Sequence, residues 1–531
     1  MPDVIVIGAG LNGLVAGTWL ARRKYSTLIL DQRPSVGGAA CTSEIAPGFK
    51  TPGLSHSLGP VHRDVIRAFD LDRAAGLQFI APDPALTTLG SGDHHVVFHR
   101  DPVLTAASLA RVSPRDAGRW QAFLQSAQRV SSVIAALQRH APPTIDDVGA
   151  REMWRLLGVG WRARGIGSRD LARLLRWMPM AVADLTGEWF EHDLVRAAIA
   201  ARAVFGSAAG PRSAGTGAAL LQRLAEDPMP VGSGATVRGG LGALSDALAA
   251  VARRAGAEVA TGRRVAKVAC ENGRATGVIL DDGTAIPSRA VVSAVDPRQT
   301  FLGLVDPGDL PPDFLERMRH YRARGVTAKV NLALSELPVF PALHGDAVPL
   351  RGRVLVAPTI DYLERAHDAA KYGQMSDEPW LEFTIPSVAD PSLAPPGSHV
   401  MSIYAQAAPR HLRSSAWSEQ SGALYERVIR VLEAHSPGLA RLIVQREVLT
   451  PEDLEARWGL SGGHIFHGEP AIDQSWVARP LMGWAQYRTP VAGLLLASAG
   501  THPGGGLTGM SGLLAGRAVE ATLRGKRAVT S

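Results

Sequence analysis

Residues 4 to 31 carry a spacing that can do chemistry. An apolar run, Val4-Ile-Val-Ile7, leads into Gly8-Ala-Gly10-Leu-Asn-Gly13, and Asp31 follows eighteen residues after the last of these glycines. Gly8 permits a tight turn, Gly10 lets the backbone approach a pyrophosphate, and Gly13 lets a helix pack closely on a strand. The helix that begins there offers free N–H groups to phosphates. A carboxylate at Asp31 can accept a hydrogen bond from a ribose 2′-hydroxyl, so the adenosine it suits carries no 2′-phosphate. Beyond Asp31 come Arg33 and a second glycine pair, Gly37-Gly38, which give another close backbone approach beside the pyrophosphate. The pattern describes a dinucleotide site and leaves FAD and NAD both open.

The elements that must position these residues follow from the same stretch. Strand 4–7, helix 14–23 and strand 26–30 form one βαβ unit. A second coherent stretch opens on Gly239-Gly240-Leu-Gly242 and predicts a helix over 243–255, then short strands near 264–268, 277–280 and 290–295. Asp281-Asp282-Gly283 supplies a hairpin turn between two of these strands. Gly240-Leu-Gly242 lacks the third glycine of a second nucleotide fingerprint, so a dedicated NAD(P)H domain is not expected. That favours an oxidase, desaturase or isomerase over an NAD(P)H-driven monooxygenase. Near the end, a buried strand over 494–499, a glycine-rich loop over 500–509 and a helix over 510–523 bring backbone close to a ligand.

The totals bound what remains. A length of 531 residues predicts about two to three structural units, and 46% hydrophobic with 20% charged residues is ordinary globular composition. The net charge of +7 is spread along the chain as scattered arginines, and no nucleic-acid-binding motif accompanies it, so no nucleic-acid partner is expected. Cys41 and Cys270 form no CxxC pair, no metal-ligand set is present, and no apolar run reaches membrane-spanning length; a cytoplasmic protein without metal or disulfide is expected. Cys41, close after Gly37-Gly38, is read as a small buried residue in preference to a covalent flavin link.

Further motifs carry a resemblance. The order acidic residue, Arg, Gly-Gly after the first fingerprint resembles the FAD-binding signature of the amine oxidase and phytoene desaturase superfamily. Gly462-Gly463-His-Ile-Phe-His467-Gly-Glu469, Arg479-Pro480, Tyr487-Arg-Thr-Pro490 and Thr501-His-Pro-Gly-Gly-Gly506 resemble the C-terminal region of its PYROXD2-like, phytoene desaturase-related branch. Gly187-Glu-Trp-Phe190 and the stretch from Gly206 to Thr216 resemble the same branch. Met510-Ser511-Gly512 departs from the Ala-Pro-Gly expected there, and Asp31 is shorter than the usual glutamate.

The resemblance implies an α/β fold: a discontinuous Rossmann-type FAD-binding domain from residues 1–70, 232–300 and 455–531, with a mixed α+β substrate domain from 71–231 and 301–454. It implies FAD contacts at Gly8, Gly10, Gly13, Asp31, Arg33, Gly37, Gly38, Val265, Gly500, Gly505 and Gly506, with backbone groups of Val265 against the adenine. His56, His467 and His502 fall in stretches it places near the flavin, as candidates for catalysis or as buried structural histidines.

Three functions stay open. The leading one is hydride abstraction from an apolar, carotenoid- or lipid-like small molecule, with oxygen or a quinone as acceptor. The others are amine or amino-acid oxidation, which would need a polar or aromatic cage, and a non-enzymatic FAD-containing interaction protein. The leucines, tryptophans and arginines of 153–157 and 171–180 are expected in core helices lining a channel, or else as a basic face that touches an anionic membrane.

Overall fold

In the computed structural model, residues 1–57, 59, 61–72, 76–144 and 149–525 are described. Residues 58, 60, 73–75, 145–148 and 526–531 of the expected segments lie outside them.

The apolar tetrapeptide Val4–Ile7 is buried along its whole length. It forms the centre of a five-stranded sheet in the order Leu494–Leu496, Ala290–Ser293, Val4–Ile7, Thr27–Leu30, Glu258–Ala260. Every neighbouring pair is parallel. A parallel sheet needs crossovers that cover both faces, which is why its strands are continuous apolar runs and not alternating ones. Val4, Val6 and Ile29 point into a core shared with helices Leu11–Ala21, Leu241–Arg254 and Met510–Leu523. Ile5, Ile7, Leu28 and Leu30 face the other way, onto Val268, Val278, Phe314 and Met318. The antiparallel strands Val265–Glu271, Arg274–Leu280 and Ala285–Pro287 form the small sheet that supplies part of this second layer.

The first helix begins at Leu11, earlier than the expected residue 14, because Gly10 is its N-cap with extended φ and ψ of −68° and 172°. Gly13 then lies inside the first turn. A Cβ on it would stand 1.9 Å from the Gly8 carbonyl oxygen, so the helix could not seat on its strand with any larger residue.

The second large sheet has seven strands: Ile443–Leu449, Thr327–Leu334, His399–Gln406, Leu381–Thr384, Arg353–Val356, Leu86–Leu89 and His95–Phe98. Its one parallel pairing, Arg353–Val356 with Leu86–Leu89, ties an early segment of the chain to a late one. One face packs on helix Trp417–Glu433. Helices Pro114–Gln138, Asp193–Val204 and Thr216–Glu226 enclose a separate core around Trp120, Phe123 and Trp177.

The expectation of core helices at 153–157 and 171–180 is corrected in part. Leu174 and Trp177 are buried, but Trp154 and Trp161 are each 75% exposed, and Met153, Leu157 and Leu175 also stand on the surface. In helices Ala150–Gly165 and Ser168–Trp177 these exposed side chains stand in solvent, so leucine and tryptophan content overstated their burial. No helix among the described residues is long and apolar enough to cross a membrane.

Candidate cofactor cavity and an adjoining charged chamber

The C-terminal ends of the central parallel strands open onto a cavity of about 370 Å³. Gly8, Gly10, Asp31, Arg33, Gly37, Gly38, Val265, His467 and Gly506 all line it. The end of a parallel sheet is where an α/β fold leaves a crevice between diverging connections. Gly10 pairs with Gly37 as an isolated bridge, which sets the two glycine turns side by side. An ideal Cβ on Gly10 would meet no protein atom within 4 Å, although its φ suits any residue. The space above Gly10 therefore belongs to whatever occupies the cavity. No side chain caps the N-terminus of helix Leu11–Ala21, so its first N–H groups also remain for a ligand.

Asp31 accepts hydrogen bonds from the backbone N–H of Ala9 at 2.7 Å and of Arg33 at 2.8 Å. A carboxylate has about four acceptor positions, so capacity remains for a hydroxyl donor. Burial pushes its pKa up, against those two N–H groups. Arg33 donates to the Gly38 carbonyl at 3.1 Å and lies 3.9 Å over the Trp458 ring. Its guanidinium is thus a fixed wall of the cavity.

Gly13, Gly500 and Gly505 do not line the cavity, and protein packing accounts for all three. A Cβ on Gly500 would stand 2.3 Å from Cδ of Pro297, and one on Gly505 would stand 2.7 Å from Cβ of Phe466. Cys41 is buried and does not line the cavity, its Sγ lying 3.9 Å from Arg33 Nη2. His502 lies outside it as well, its Nε2 3.2 Å from the Leu137 carbonyl oxygen.

Across Ser55, Ile465, Phe466, Gly506 and Leu507, which line both spaces, the cavity adjoins a chamber of about 130 Å³. Its wall carries His56, Arg202, Arg223, Glu226, Asp227, Arg353, Glu382, Phe205 and Tyr404. His56 is buried and its Nε2 is 3.1 Å from Glu382 Oε1, while Arg353 donates to Glu382 Oε2 at 2.8 Å. Behind His56, Lys329 Nζ approaches Nδ1 at 3.4 Å and sits 3.9 Å over the Tyr404 ring.

Burial, followed by the charge of Lys329, pushes the His56 pKa down to about 4, so the ring is neutral at pH 7. Burial alone would raise Glu382, but Arg353 and the His56 hydrogen bond hold it down at about 2. Burial also drives Lys329 well below the usual lysine range, opposed by Glu382 and Glu447. Among the described residues no three His, Cys, Asp or Glu side chains gather to hold a metal ion.

Lys329, Arg353, Glu382, Arg223 and Glu226 were not among the residues singled out from the sequence. A signal was there: Lys329 interrupts Thr327–Leu334 and Glu382 interrupts Leu381–Thr384, both otherwise mostly apolar strands buried along their whole length. A charge at such a position must have a partner or a task.

The chain matches the family described as flavin containing amine oxidoreductase over residues 11–518. It belongs to that family. It is 33% identical over 534 residues to "Pyridine nucleotide-disulfide oxidoreductase domain-containing protein 2" of Rattus norvegicus, covering 96% of this chain and 92% of that protein. It is 26% identical over 532 residues to a neurosporene-forming phytoene desaturase of Cereibacter sphaeroides, covering 96% and 92%. Among solved structures, cyclohexylamine oxidase from Brevibacterium oxydans has the same fold, with a TM-score of 0.59 at 16% identity over 98% of this chain and 99% of that one.

The chain is thus a flavin-dependent oxidoreductase. The residues present fit the cofactor: an open place over Gly10, an uncapped helix terminus and a carboxylate with spare acceptor capacity share one cavity.

Proposed function

We propose that this enzyme is a FAD-dependent dehydrogenase acting on a small molecule whose reacting carbon lies where cavity and chamber meet. The shared wall of Ser55, Ile465, Phe466, Gly506 and Leu507 carries the reading, because it sets the two spaces side by side. In this reading residues 1–70, 232–300 and 455–531 hold FAD through Gly8, Gly10, Asp31, Arg33, Gly37, Gly38, Val265 and Gly506. Segments 71–231 and 301–454 supply the arginines and carboxylates of the chamber. Bound FAD supplies the acceptor for a hydride.

The protein's own share is orientation and exclusion of water. Phe205, Ile465, Phe466 and Leu507 offer apolar walls to a substrate stem, and the arginines beyond them favour a polar end over a bare hydrocarbon. An ammonium substrate is less well served. Arg223 lies 4.9 Å over the Phe466 ring and Lys329 lies 3.9 Å over that of Tyr404, so two aromatic faces already hold cations. His56, held neutral between Lys329 and Glu382, keeps its ring fixed in the chamber wall.

Anaerobic challenge of the purified yellow protein tests this reading by the loss of oxidised flavin absorbance. Bleaching by an apolar-stemmed compound with a polar head is expected. Bleaching by amines alone would overturn the dehydrogenase assignment in favour of amine oxidation.

The exposed Trp154 and Trp161, on the same helix as Arg162 and Arg164, support peripheral contact with an anionic membrane as part of the same proposal. Co-sedimentation with anionic vesicles, lost on replacing both tryptophans by serine, is the expected outcome. Equal sedimentation of both proteins would exclude contact through this face.

A further inference from the structure

The charges around the chamber are not equally engaged. Arg202 spends its guanidinium on the carbonyls of Met229, Arg223 and Asp227. Arg353 is committed to Glu382 and to the carbonyls of Val231 and Gly232. Arg223 differs. Among the described residues its guanidinium makes one hydrogen bond, from Nη2 to the Phe205 carbonyl at 2.7 Å, and its buried Nε, like that of Arg353, has no partner. One turn along the same helix, Thr216–Glu226, stands Glu226, for which no hydrogen bond or ion pair is found among the described residues. The two side chains do not pair with each other although three positions apart, and both line the chamber and the smaller space of about 50 Å³ beside it.

A guanidinium with one protein partner and a carboxyl with none, lining one space, are complementary to a third group that accepts from both. A guanidinium and a carboxyl both left short of partners beside a cavity have hydrogen-bonding capacity that a ligand can take up. We infer that the chamber receives the carboxylate of an organic acid, which accepts hydrogen bonds from Arg223 and from the carboxyl of Glu226, with the acid's apolar stem against Phe205, Phe466 and Leu507. This deepens the dehydrogenase reading and rests on it, since it names the polar end of that substrate.

Protonation of Glu226 is then part of recognition, because two ionised carboxylates would repel each other. The charged groups facing Glu226 are Arg223 and Asp227 on its own segment, Arg202 from helix Asp193–Val204, Arg479 from the stretch before Pro480, and His56, Arg353 and Glu382 across the chamber. Burial lifts its pKa to about 7 against the pull of Arg223 and Arg202. His56 at about 4 and Glu382 at about 2 stay clear of that range.

Equilibrium dialysis of the FAD-loaded protein against labelled octanoate, with octan-1-ol and octylamine as matched neutral and cationic probes, tests the inference. Octanoate is expected to bind at least about tenfold more tightly than either at pH 6, and to weaken about tenfold by pH 8. Arg223→Gln should remove most of the preference for octanoate. The near-isosteric Glu226→Gln, which keeps a donor in place, should bind octanoate equally at both pH values and decides the matter even if the arginine variant fails to fold. Equal affinity for all three probes, or an unchanged pH profile in Glu226→Gln, would overturn the inference. Flavin absorbance of the same sample is read separately, so a failure of the cofactor reading is distinguished from a failure of carboxylate recognition.

Discussion

The cofactor cavity is made chiefly of backbone at strand ends and glycine turns, whereas the chamber beside it is made of side chains from strands and helices far apart in the chain. Gly8, Gly10 and Asp31 belong to one local unit, and their relative placement is set by a single strand–turn–helix–strand passage. His56, Glu226, Arg353 and Glu382 come from four separated segments, and nothing local sets any of their distances. A backbone-built site tolerates no side chain where its ligand lies, while a side-chain-built site depends on charges held against burial. The two regions should therefore fail in different ways.

The largest contrast is expected at Gly10. Gly10→Val has an allowed backbone conformation and its Cβ meets no protein atom within 4 Å, so the variant should fold with a nearly unchanged melting temperature yet lose at least about nine-tenths of its flavin. Absorbance per mole of protein checks this, and a fully yellow Gly10→Val would break the comparison at its base. Arg353→Met should do the reverse. It leaves Glu382 buried without its cation and should cost about 3–5 kcal/mol in chemical denaturation, with flavin retained by the protein that remains folded.

Gly13→Ala sharpens the first case, since it lies only three positions from Gly10. Its Cβ would meet the Gly8 oxygen at 1.9 Å and Ala294 Cβ at 3.0 Å, so a stability loss of about 1–3 kcal/mol is expected. Denaturant midpoints of the Gly10 and Gly13 variants, measured side by side, separate a glycine required by ligand from one required by packing. Equal midpoints would remove that distinction.

The smallest effect concerns pH. The folded-state pKa of Glu226 is raised from 4.5 to about 7, so its contribution to stability is fully present below 4.5 and is lost as pH rises to about 7. The loss should be about 1–3 kcal/mol. Relative to the wild type, Glu226→Gln should gain stability between pH 5 and pH 8, read from unfolding at both values. A constant difference would show that Glu226 does not hold its proton in the fold.

Different parts of this arrangement were legible to different degrees. The fingerprint around Gly10 was readable because its spacing is dictated by one turn of backbone, and the strands Val4–Ile7 and Leu494–Leu496 because burial on both faces demands unbroken apolar residues. The glycines of 500–506 were legible as a feature but not as a reason. Gly500 and Gly505 answer to Pro297 and Phe466, partners that come from other parts of the chain. The surface position of Trp154 and Trp161 was not legible, because composition reports what a helix could bury and not whether anything packs on it.

By itself the sequence determined the local chemistry: a turn able to admit a pyrophosphate, an acid at the end of the next strand, and apolar strands that must be covered on both sides. These depend on covalent neighbours and on periodicity, which a linear chain already contains. Only the tertiary structure decided that Lys329, His56, Glu382 and Arg353 form one buried chain of contacts and that Arg223 and Glu226 line the same space without pairing with each other. Those relations depend on the register of a seven-stranded sheet and the seating of a helix beside it, and such distances exist only once the chain has closed on itself.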